Sequence, residues 1–130
     1  MNILKVAVVG SRRRNTPKDK QIIKRALRHL MMKKDVIIHL VSGGCPLGAD
    51  KFAEELAVEL GLGISIHLPD KSSLPRNPQY YDFVKIYFAR NTLIANECDM
   101  CIALCAEDRK GGTEDTVKKV DLQNKPVVIL

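Results

Sequence analysis

Short apolar runs alternate with helix-length amphipathic segments along the whole chain, and this alternation constrains the fold more than any other feature. The first two runs are nearly continuous in Val, Ile, Leu and Ala, which is typical of strands covered on both faces. Such a succession predicts βαβ units with a parallel sheet and right-handed crossovers. The predicted strands are residues 4–9, 36–41, 63–68, 99–104 and 126–130.

The segments between these runs have helical periodicity. Pro17 suits the first turn of a helix whose apolar residues recur from 22 to 31, and Gly61 suits the C-cap of the next helix. Further helices are predicted over residues 79–96 and 113–122. The first of these two has more apolar residues than one stripe needs, so we expect a break or a second buried face. The predicted fold class is a Rossmann-like three-layer α/β sandwich with a parallel sheet of about five strands, a single domain over residues 1–130.

Length and charge limit the possible functions. No apolar run approaches the ~20 residues that a bilayer requires, and the first ten residues lack the features of a signal peptide. We therefore expect a cytoplasmic protein without membrane partners. The excess of 21 Lys and Arg over 15 Asp and Glu favours anionic partners, but leaves nucleotides, nucleic acid and simple solubility open. The basic run over residues 18–34 is typical of a solvated helix face.

Three cysteines have the spacing C-x2-C-x3-C, which is compatible with a metal or iron–sulfur site. Alternation along the predicted strand instead places Cys101 and Cys105 on one buried face, where they would act as small apolar residues. We therefore expect no metal, no cofactor and no disulfide, and the roles of Cys98, Cys101 and Cys105 beyond core packing stay open.

Loops rich in glycine and hydroxyl groups follow three of the predicted strands. They should meet at one sheet edge, because the carboxyl ends of parallel strands share an edge. Glycine lets backbone N–H groups approach an anion closely, and a helix that follows directs its N-terminal dipole at that anion. The loops therefore predict a phosphate site. Its candidate residues are Gly10, Ser11, Arg12, Ser42, Gly43, Gly44, Gly48, Asp50, Gly111, Gly112, Thr113 and Thr116.

Each of these glycines has an alternative role in a tight turn or in close helix–strand packing. Asp50 falls in the first turn of the predicted helix, where it would either interact with the helix dipole or hydrogen-bond a ribose or base. The loops fit neither G-x-G-x-x-G nor a Walker A motif, which disfavours conventional dinucleotide binding and P-loop ATP hydrolysis.

Four segments, VAVVGSR, LVSGGCPLGAD, ARNTLIANECDMCIAL and KGGTEDTVKKV, resemble in this order the SLOG superfamily. That superfamily includes the DNA-processing Smf/DprA proteins, the Lonely Guy (LOG) phosphoribohydrolases once labelled lysine decarboxylases, and small YspA/YpsA-like proteins. The resemblance implies a Rossmann-like fold, frequent homodimers, and a nucleotide or nucleic-acid phosphate site at the glycine loops. The small YspA/YpsA-like members are the most similar in style.

The resemblance also implies roles for individual residues. Arg90 and Asn91 match an Arg-Asn or Arg-Lys pair near the ligand, which would require a helix break near residues 88–90. Arg90 is the candidate catalytic residue. In the phosphoribohydrolases a glutamate follows the second phosphate loop, whereas this chain has Thr116, which neither carries negative charge nor acts as a base at neutral pH.

Three functions follow as hypotheses. The favoured one is a binding module for a nucleotide or a related phosphorylated ligand, with a sensor as one possible use. The second is a nucleoside monophosphate N-glycoside hydrolase that would use Arg90 and an acid from Asp50, Glu114 or Asp115. The third is single-stranded DNA binding aided by residues 12–14, although there is no Trp and we expect Tyr80, Tyr81 and Tyr87 to lie partly in the core. A dimer face over residues 80–88 is also predicted, and His29, His39 and His67 are expected on a helix and inside two strands.

Overall fold

A computed structural model describes residues 2–130, which form a five-stranded sheet flanked by four helices. Strands and helices alternate as the apolar periodicity predicts, so the predicted fold class is confirmed. In chain order the elements are β1 Asn2–Gly10, α1 Pro17–Met31, β2 Val36–Ser42, α2 Ala49–Leu60, β3 Gly63–Ile66, α3 Tyr80–Glu97, β4 Met100–Leu104, α4 Gly112–Leu122 and β5 Val127–Ile129.

All neighbouring strands are parallel, and their order across the sheet is β3-β2-β1-β4-β5. The chain moves outward in one direction through β2 and β3, then returns past β1 to build the other half. Strand order therefore reverses between β1 and β4, which pair from Val6–Met100 to Gly10–Leu104. In open α/β sheets the crevice beyond the carboxyl ends at such a point is the usual ligand site.

Two apolar cores cover the two faces of the sheet. One core joins α1 and α2 to one face through residues such as Leu27 and Leu56, which are fully buried. The other joins α3 and α4 to the opposite face and contains Ile94, Val120 and Cys101. This division into three layers follows from strands that alternate their side chains between two apolar faces.

The predicted burial of Cys101 and Cys105 is confirmed. Cys98, Cys101 and Cys105 are buried in the second core, and all four cysteines, including the half-buried Cys45, are free thiols. Burial raises the pKa of the thiols of Cys98, Cys101 and Cys105. Within residues 2–130 no group of three or more His, Cys, Asp or Glu has the arrangement of a metal site.

Three local predictions are wrong. α3 continues unbroken from Tyr80 to Glu97, so the break expected near residues 88–90 does not exist. Tyr80 and Tyr81 are not core residues, since they are 84% and 68% exposed. The apolar surplus of this helix thus reflects exposed aromatic residues at its beginning. β3 ends at Ile66, so His67 follows the strand instead of lying inside it.

Helix ends follow the sequence signals closely. Pro17 begins α1, and Thr16 and Asp19 form a capping box with reciprocal hydrogen bonds. Gly61 closes α2 in the left-handed conformation with φ of 68°, as its position in the sequence predicts. Over residues 2–130 no helix is long and apolar enough to cross a membrane.

Candidate functional site

The three glycine-rich loops meet at one edge of the sheet, as predicted, and enclose a cleft with two lobes. We call the first the glycine lobe; it has a volume of about 350 Å³ and lies beyond the ends of β1 and β4. The second, the apolar lobe, has about 320 Å³ and lies beside β2 and the segment after β3. Both volumes are at the lower end of the range for small-molecule sites. Arg12, Cys45, Tyr87 and Arg90 line both lobes and therefore form the waist of the cleft.

The two lobes differ in chemistry. The glycine lobe receives loop residues from three strands and the start of α4, whereas the apolar lobe has proline, leucine and tyrosine side chains together with the basic side chains of Arg12, Lys71 and Arg90. Further residues of the glycine lobe are Val9, Gly10, Ser11, Arg13, Asp50, Asn91, Ile94, Lys110, Gly111, Gly112, Thr113 and Thr116. Further residues of the apolar lobe are Gly43, Gly44, Pro46, Leu68, Pro69 and Lys71.

The N-terminus of α4 offers unused hydrogen-bond donors to the glycine lobe. Its N-cap is Gly111, which has φ of 124° and supplies no side-chain cap. The backbone N–H groups of Gly111, Gly112 and Thr113 have no acceptor anywhere in residues 2–130. By contrast, Thr16 and Asp19 cap α1, and the Asp82 carboxylate accepts the Gln79 N–H at the start of α3. Unpaired N–H groups together with the positive end of the helix dipole make this terminus suited to an anion.

Three backbone donors of the loop after β2 are already used. The Asp50 carboxylate accepts a hydrogen bond from the backbone N–H group of Cys45 at 3.0 Å. The Gly44 N–H donates to Ser42 Oγ at 3.3 Å, and the Gly48 N–H donates to Asn15 Oδ1 at 2.9 Å. Asp50 therefore supplies this loop with an internal anion.

Asp50 lies in the first turn of α2, as predicted, and its carboxylate faces the glycine lobe. Burial raises the pKa of Asp50 above its ordinary value, although the Cys45 hydrogen bond and the Arg90 charge act in the opposite direction.

Of the three consecutive arginines after β1, two hold the loops in place. Arg13 forms a bidentate pair with Asp108, with N–O distances of 2.7 and 2.8 Å, and also donates to the Lys110 carbonyl at 2.9 Å. Its hydrogen bonds lower the pKa of Asp108 to about 2. Arg14 donates to the carbonyls of Cys105 and Leu130 at 3.1 and 2.6 Å.

Arg12 differs from both of its neighbours. Its side chain is exposed at the waist of the cleft, and its guanidinium has no hydrogen bond or ion pair with any residue from 2 to 130. A free guanidinium beside unpaired backbone N–H groups is suited to bidentate binding of phosphate or carboxylate.

Arg90 reaches the cleft from the middle of α3, so a helix break is not needed to bring it there. Its Nη1 donates to the Gly43 carbonyl at 2.6 Å and its Nε donates to Asn91 Oδ1 at 3.0 Å. The guanidinium also lies 5.9 Å from the centre of the Tyr87 ring. Asn91 is buried and donates to Asp115 Oδ2 at 3.1 Å, so its amide joins α3 to α4 behind the lobe.

Several glycines have packing roles, which is the alternative that the sequence left open. A Cβ atom at Gly10 would lie 2.7 Å from the Ala49 Cβ and 2.9 Å from the Leu104 Cβ and carbonyl oxygen. One at Gly43 would lie 2.6 Å from Arg90 Nη1. A Cβ at Gly111 or Gly112 would meet no atom within 4 Å, so only these two glycines of the loop edge stand in open space.

Thr116 lies where the phosphoribohydrolase resemblance would place a glutamate, and it is buried at the floor of the glycine lobe. The neighbouring acids are engaged elsewhere. Glu114 accepts hydrogen bonds from Arg109, and Asp115 accepts from Asn91 and from Lys119 Nζ at 2.8 Å. Asp50 is therefore the one carboxylate among residues 2–130 that lines either lobe.

Sequence reasoning missed several residues of the cleft. Tyr87 is expected from the sequence only as a partly buried residue of a predicted helix, and Leu68 only as the end of a predicted strand. Pro69 and Lys71 lie between these two elements, where the sequence predicts no site. The position of Asn15 beneath Gly48 has no signal in the sequence, because it depends on how two loops pack.

The three histidines lie outside both lobes. His39 Nε2 is 2.7 Å from Ser65 Oγ, and that hydroxyl donates to Glu97 Oε2 at 3.1 Å. His67 Nε2 is 2.6 Å from Glu97 Oε1. These contacts join the end of α3 to β3.

Comparison with protein-family models, with curated proteins and with solved structures gives no match for this chain.

Proposed function

We propose that this protein binds a nucleotide or a related phosphorylated small molecule in the two-lobed cleft. The observation that carries the proposal is the uncapped N-terminus of α4, whose unpaired N–H groups line the same lobe as the free guanidinium of Arg12. A phosphate there would accept hydrogen bonds from Gly112 and Thr113 and pair with Arg12. The SLOG resemblance points to the same class of ligand and stays a prediction.

The shape of the cleft supports a ligand with one anionic end and one planar end. The apolar lobe begins at the waist and is walled by Tyr87, Leu68 and Pro69. An aromatic ring such as Tyr87 favours stacking with a planar group, and a nucleoside base is such a group. We place the phosphate in the glycine lobe and the base in the apolar lobe, with Arg12 and Arg90 between them.

The test is a thermal-shift screen with inorganic phosphate, ribose 5-phosphate and nucleoside mono-, di- and triphosphates, followed by calorimetry on the best ligand. A ligand at 100 times its dissociation constant should stabilise the fold by about 2.7 kcal/mol. Arg12→Ala should weaken binding by about 10- to 100-fold, since it removes a charge-assisted hydrogen bond.

Arg76→Ala is the matched control, because Arg76 is exposed and lines neither lobe. It should leave affinity within about twofold of the parent protein. If no phosphorylated compound shifts the melting temperature, or if both arginine variants lose the same affinity, the proposed function is wrong.

A second candidate function is N-glycoside hydrolysis of a nucleoside monophosphate, and Asp50 favours it. This carboxyl lines the glycine lobe and has a raised pKa, which suits a general acid, and Arg90 lies beside it. Incubation with nucleoside monophosphates should then release free base, and both Asp50→Asn and Arg90→Ala should abolish the release. Tight binding without free base would leave the binding function alone.

A homodimer is proposed through the first turns of α3. Tyr80 and Tyr81 are exposed there, and Phe88 is 41% exposed two turns later. Exposed aromatic residues near one another are typical of protein interfaces. Light scattering at 10–100 μM should give a dimer mass for the parent protein and a monomer mass for Tyr80→Ser/Tyr81→Ser. A monomeric parent protein would exclude the dimer.

A further inference from the structure

The outer face of α1 and the turn after it carry basic side chains that no acidic side chain compensates. The members on the helix fall within a sector of about 100° on its surface and extend about 17 Å along the axis. None of their side chains forms an ion pair or hydrogen bond within residues 2–130. We call this surface the outer strip; it consists of the exposed residues Lys18, Arg25, Arg28, His29, Lys33 and Lys34.

Nearly all of the excess charge of the protein is concentrated here. Residues 18–35 contain seven Lys and Arg against two Asp, a net charge of +5, whereas the whole chain has +6. The other 112 residues are therefore close to neutral. Solubility alone does not require such a concentration on one helix, because charges of both signs spread over a surface achieve it.

The flank of α1 that faces α2 shows the contrast. Lys20 Nζ lies 2.6 Å from Glu59 Oε1 and 3.6 Å from Glu55 Oε1, and Lys24 Nζ lies 3.3 Å from Glu59 Oε2. The lysines on this flank thus have intramolecular partners. The lysines of the outer strip, at the start of the same helix and in the turn after it, face solvent.

We infer that the outer strip binds the phosphate backbone of double-stranded nucleic acid without regard to sequence. A row of Lys and Arg neutralises closely spaced phosphates and releases their counterions, which is the main source of such affinity. The strip has no Phe, Tyr or Trp side chain on which an unpaired base could stack, so it favours a duplex over a single strand.

Other partners fit less well. A helix that binds a membrane surface inserts its apolar face, but Ile23, Leu27 and Leu30 of α1 are buried in the protein core. Protein interfaces depend on buried aromatic and aliphatic anchors and are depleted of lysine. On this face Met32, 80% exposed, is the main apolar side chain.

The test is fluorescence anisotropy with a labelled 20-base-pair DNA duplex from 25 to 200 mM NaCl. Five Lys and Arg of the strip should give a slope of log K against log salt near −4.5. Arg25→Gln/Arg28→Gln should weaken binding at 50 mM NaCl at least about tenfold and reduce the slope by about 1.8.

Lys85→Gln/Lys118→Gln is the matched control, because it removes the same net charge from exposed positions on α3 and α4, across the sheet. It should change affinity by less than about threefold. The inference is overturned if the duplex does not bind at 25 mM NaCl, if the two double variants behave alike, or if a single strand binds more tightly than the duplex.

Anionic vesicles with 20% phosphatidylserine provide the membrane arm, and binding to them instead of the duplex would also overturn the inference. The result is separable from the proposed function, since Arg25 and Arg28 line neither lobe. Their double variant should keep the thermal shift produced by a nucleotide, whereas Arg12→Ala should lose it.

Discussion

Three neighbouring arginines with the same chemistry have different surroundings, and their surroundings decide what each can do. Arg13 and Arg14 donate hydrogen bonds to Asp108 and to backbone carbonyls, so they fix the loops around the cleft. Arg12 keeps its donors for a ligand. Sequence alone could assign a basic run to the sheet edge, but it could not separate these roles, because the partners of these arginines among residues 105–130 are 91 to 116 residues away in the chain.

Asp50 should make stability depend on pH in a defined direction. Its pKa is raised in the folded protein, so the folded state holds the proton more tightly than the unfolded state does. The protonated carboxyl therefore stabilises the fold at pH values below the ordinary Asp pKa of about 4, and this stabilisation is lost as the pH rises through the pKa of Asp50 in the folded protein. Asp50→Asn should therefore gain stability relative to the parent protein between pH 4 and 8.

The measurement is the free energy of urea unfolding for both proteins across this range. Each unit by which folding raises the pKa of Asp50 corresponds to about 1.4 kcal/mol in the difference between the free energies of unfolding of the two proteins. Glu107→Gln, at an exposed position, serves as the control and should follow the parent protein. A constant difference between Asp50→Asn and the parent would contradict the assignment.

Glycines at the cleft edge should separate into packing and open positions. Gly10→Ala places a methyl group against Ala49 and Leu104, where backbone and Cβ atoms have little room to move. We expect a loss of about 1–3 kcal/mol in the free energy of unfolding. Gly112→Ala, at the open first position of α4, should instead be neutral or stabilising by up to about 1 kcal/mol. Equal losses would show that the two glycines have the same role.

At the scale of elements, the capping of a helix N-terminus distinguishes the helices with a purely structural start from the one that is a candidate binding site. α1 and α3 have acidic residues that cap their own N–H groups, while α2 and α4 begin at glycines without a side-chain cap. Sequence could predict these starts from Pro17, Gly48 and Gly111. It could not predict that Asp50 turns back to accept a hydrogen bond from Cys45 in the loop before α2, or that the first N–H groups of α4 stay unpaired in the glycine lobe.

A carboxylate placed at α4 should occupy the proposed anion site. Thr113→Glu puts a negative charge in the first turn, where it interacts favourably with the dipole and should add about 0.3–1 kcal/mol of stability. The same charge repels phosphate, so affinity should fall at least about tenfold. Gln123→Glu introduces an equal charge at the other end of α4 and should leave affinity unchanged. Unaltered binding by Thr113→Glu would place the phosphate elsewhere.

α3 shows why it was easier to predict that a segment is helical than to predict whether the helix is continuous. The helix has more apolar residues than one buried face can hold, which suggested a break, but Tyr80 and Tyr81 are instead exposed. Arg90 still contacts Gly43 from the unbroken helix, because the long arginine side chain spans the distance from the helix to the loop. Which loop a side chain can reach depends on the tertiary packing, and the spacing of residues in the sequence does not show it.

At the scale of the whole molecule, the strand order explains why weak loop signals could be combined. Parallel strands bring their carboxyl ends to one edge, and the reversal between β1 and β4 opens the crevice there. This rule predicted which loops would meet. It did not predict the apolar lobe, whose wall comes from Tyr87 and from the irregular segment after β3.

The carboxylate of Asp50 has a consequence for the orientation of any ligand. It lines the glycine lobe together with the unpaired N–H groups at the start of α4. An anionic group that enters this lobe therefore meets backbone donors on the α4 side and a carboxylate on the α2 side. The ligand is thus oriented with its anionic group against α4, because a position on the α2 side would bring two negative charges together unless Asp50 took up a proton.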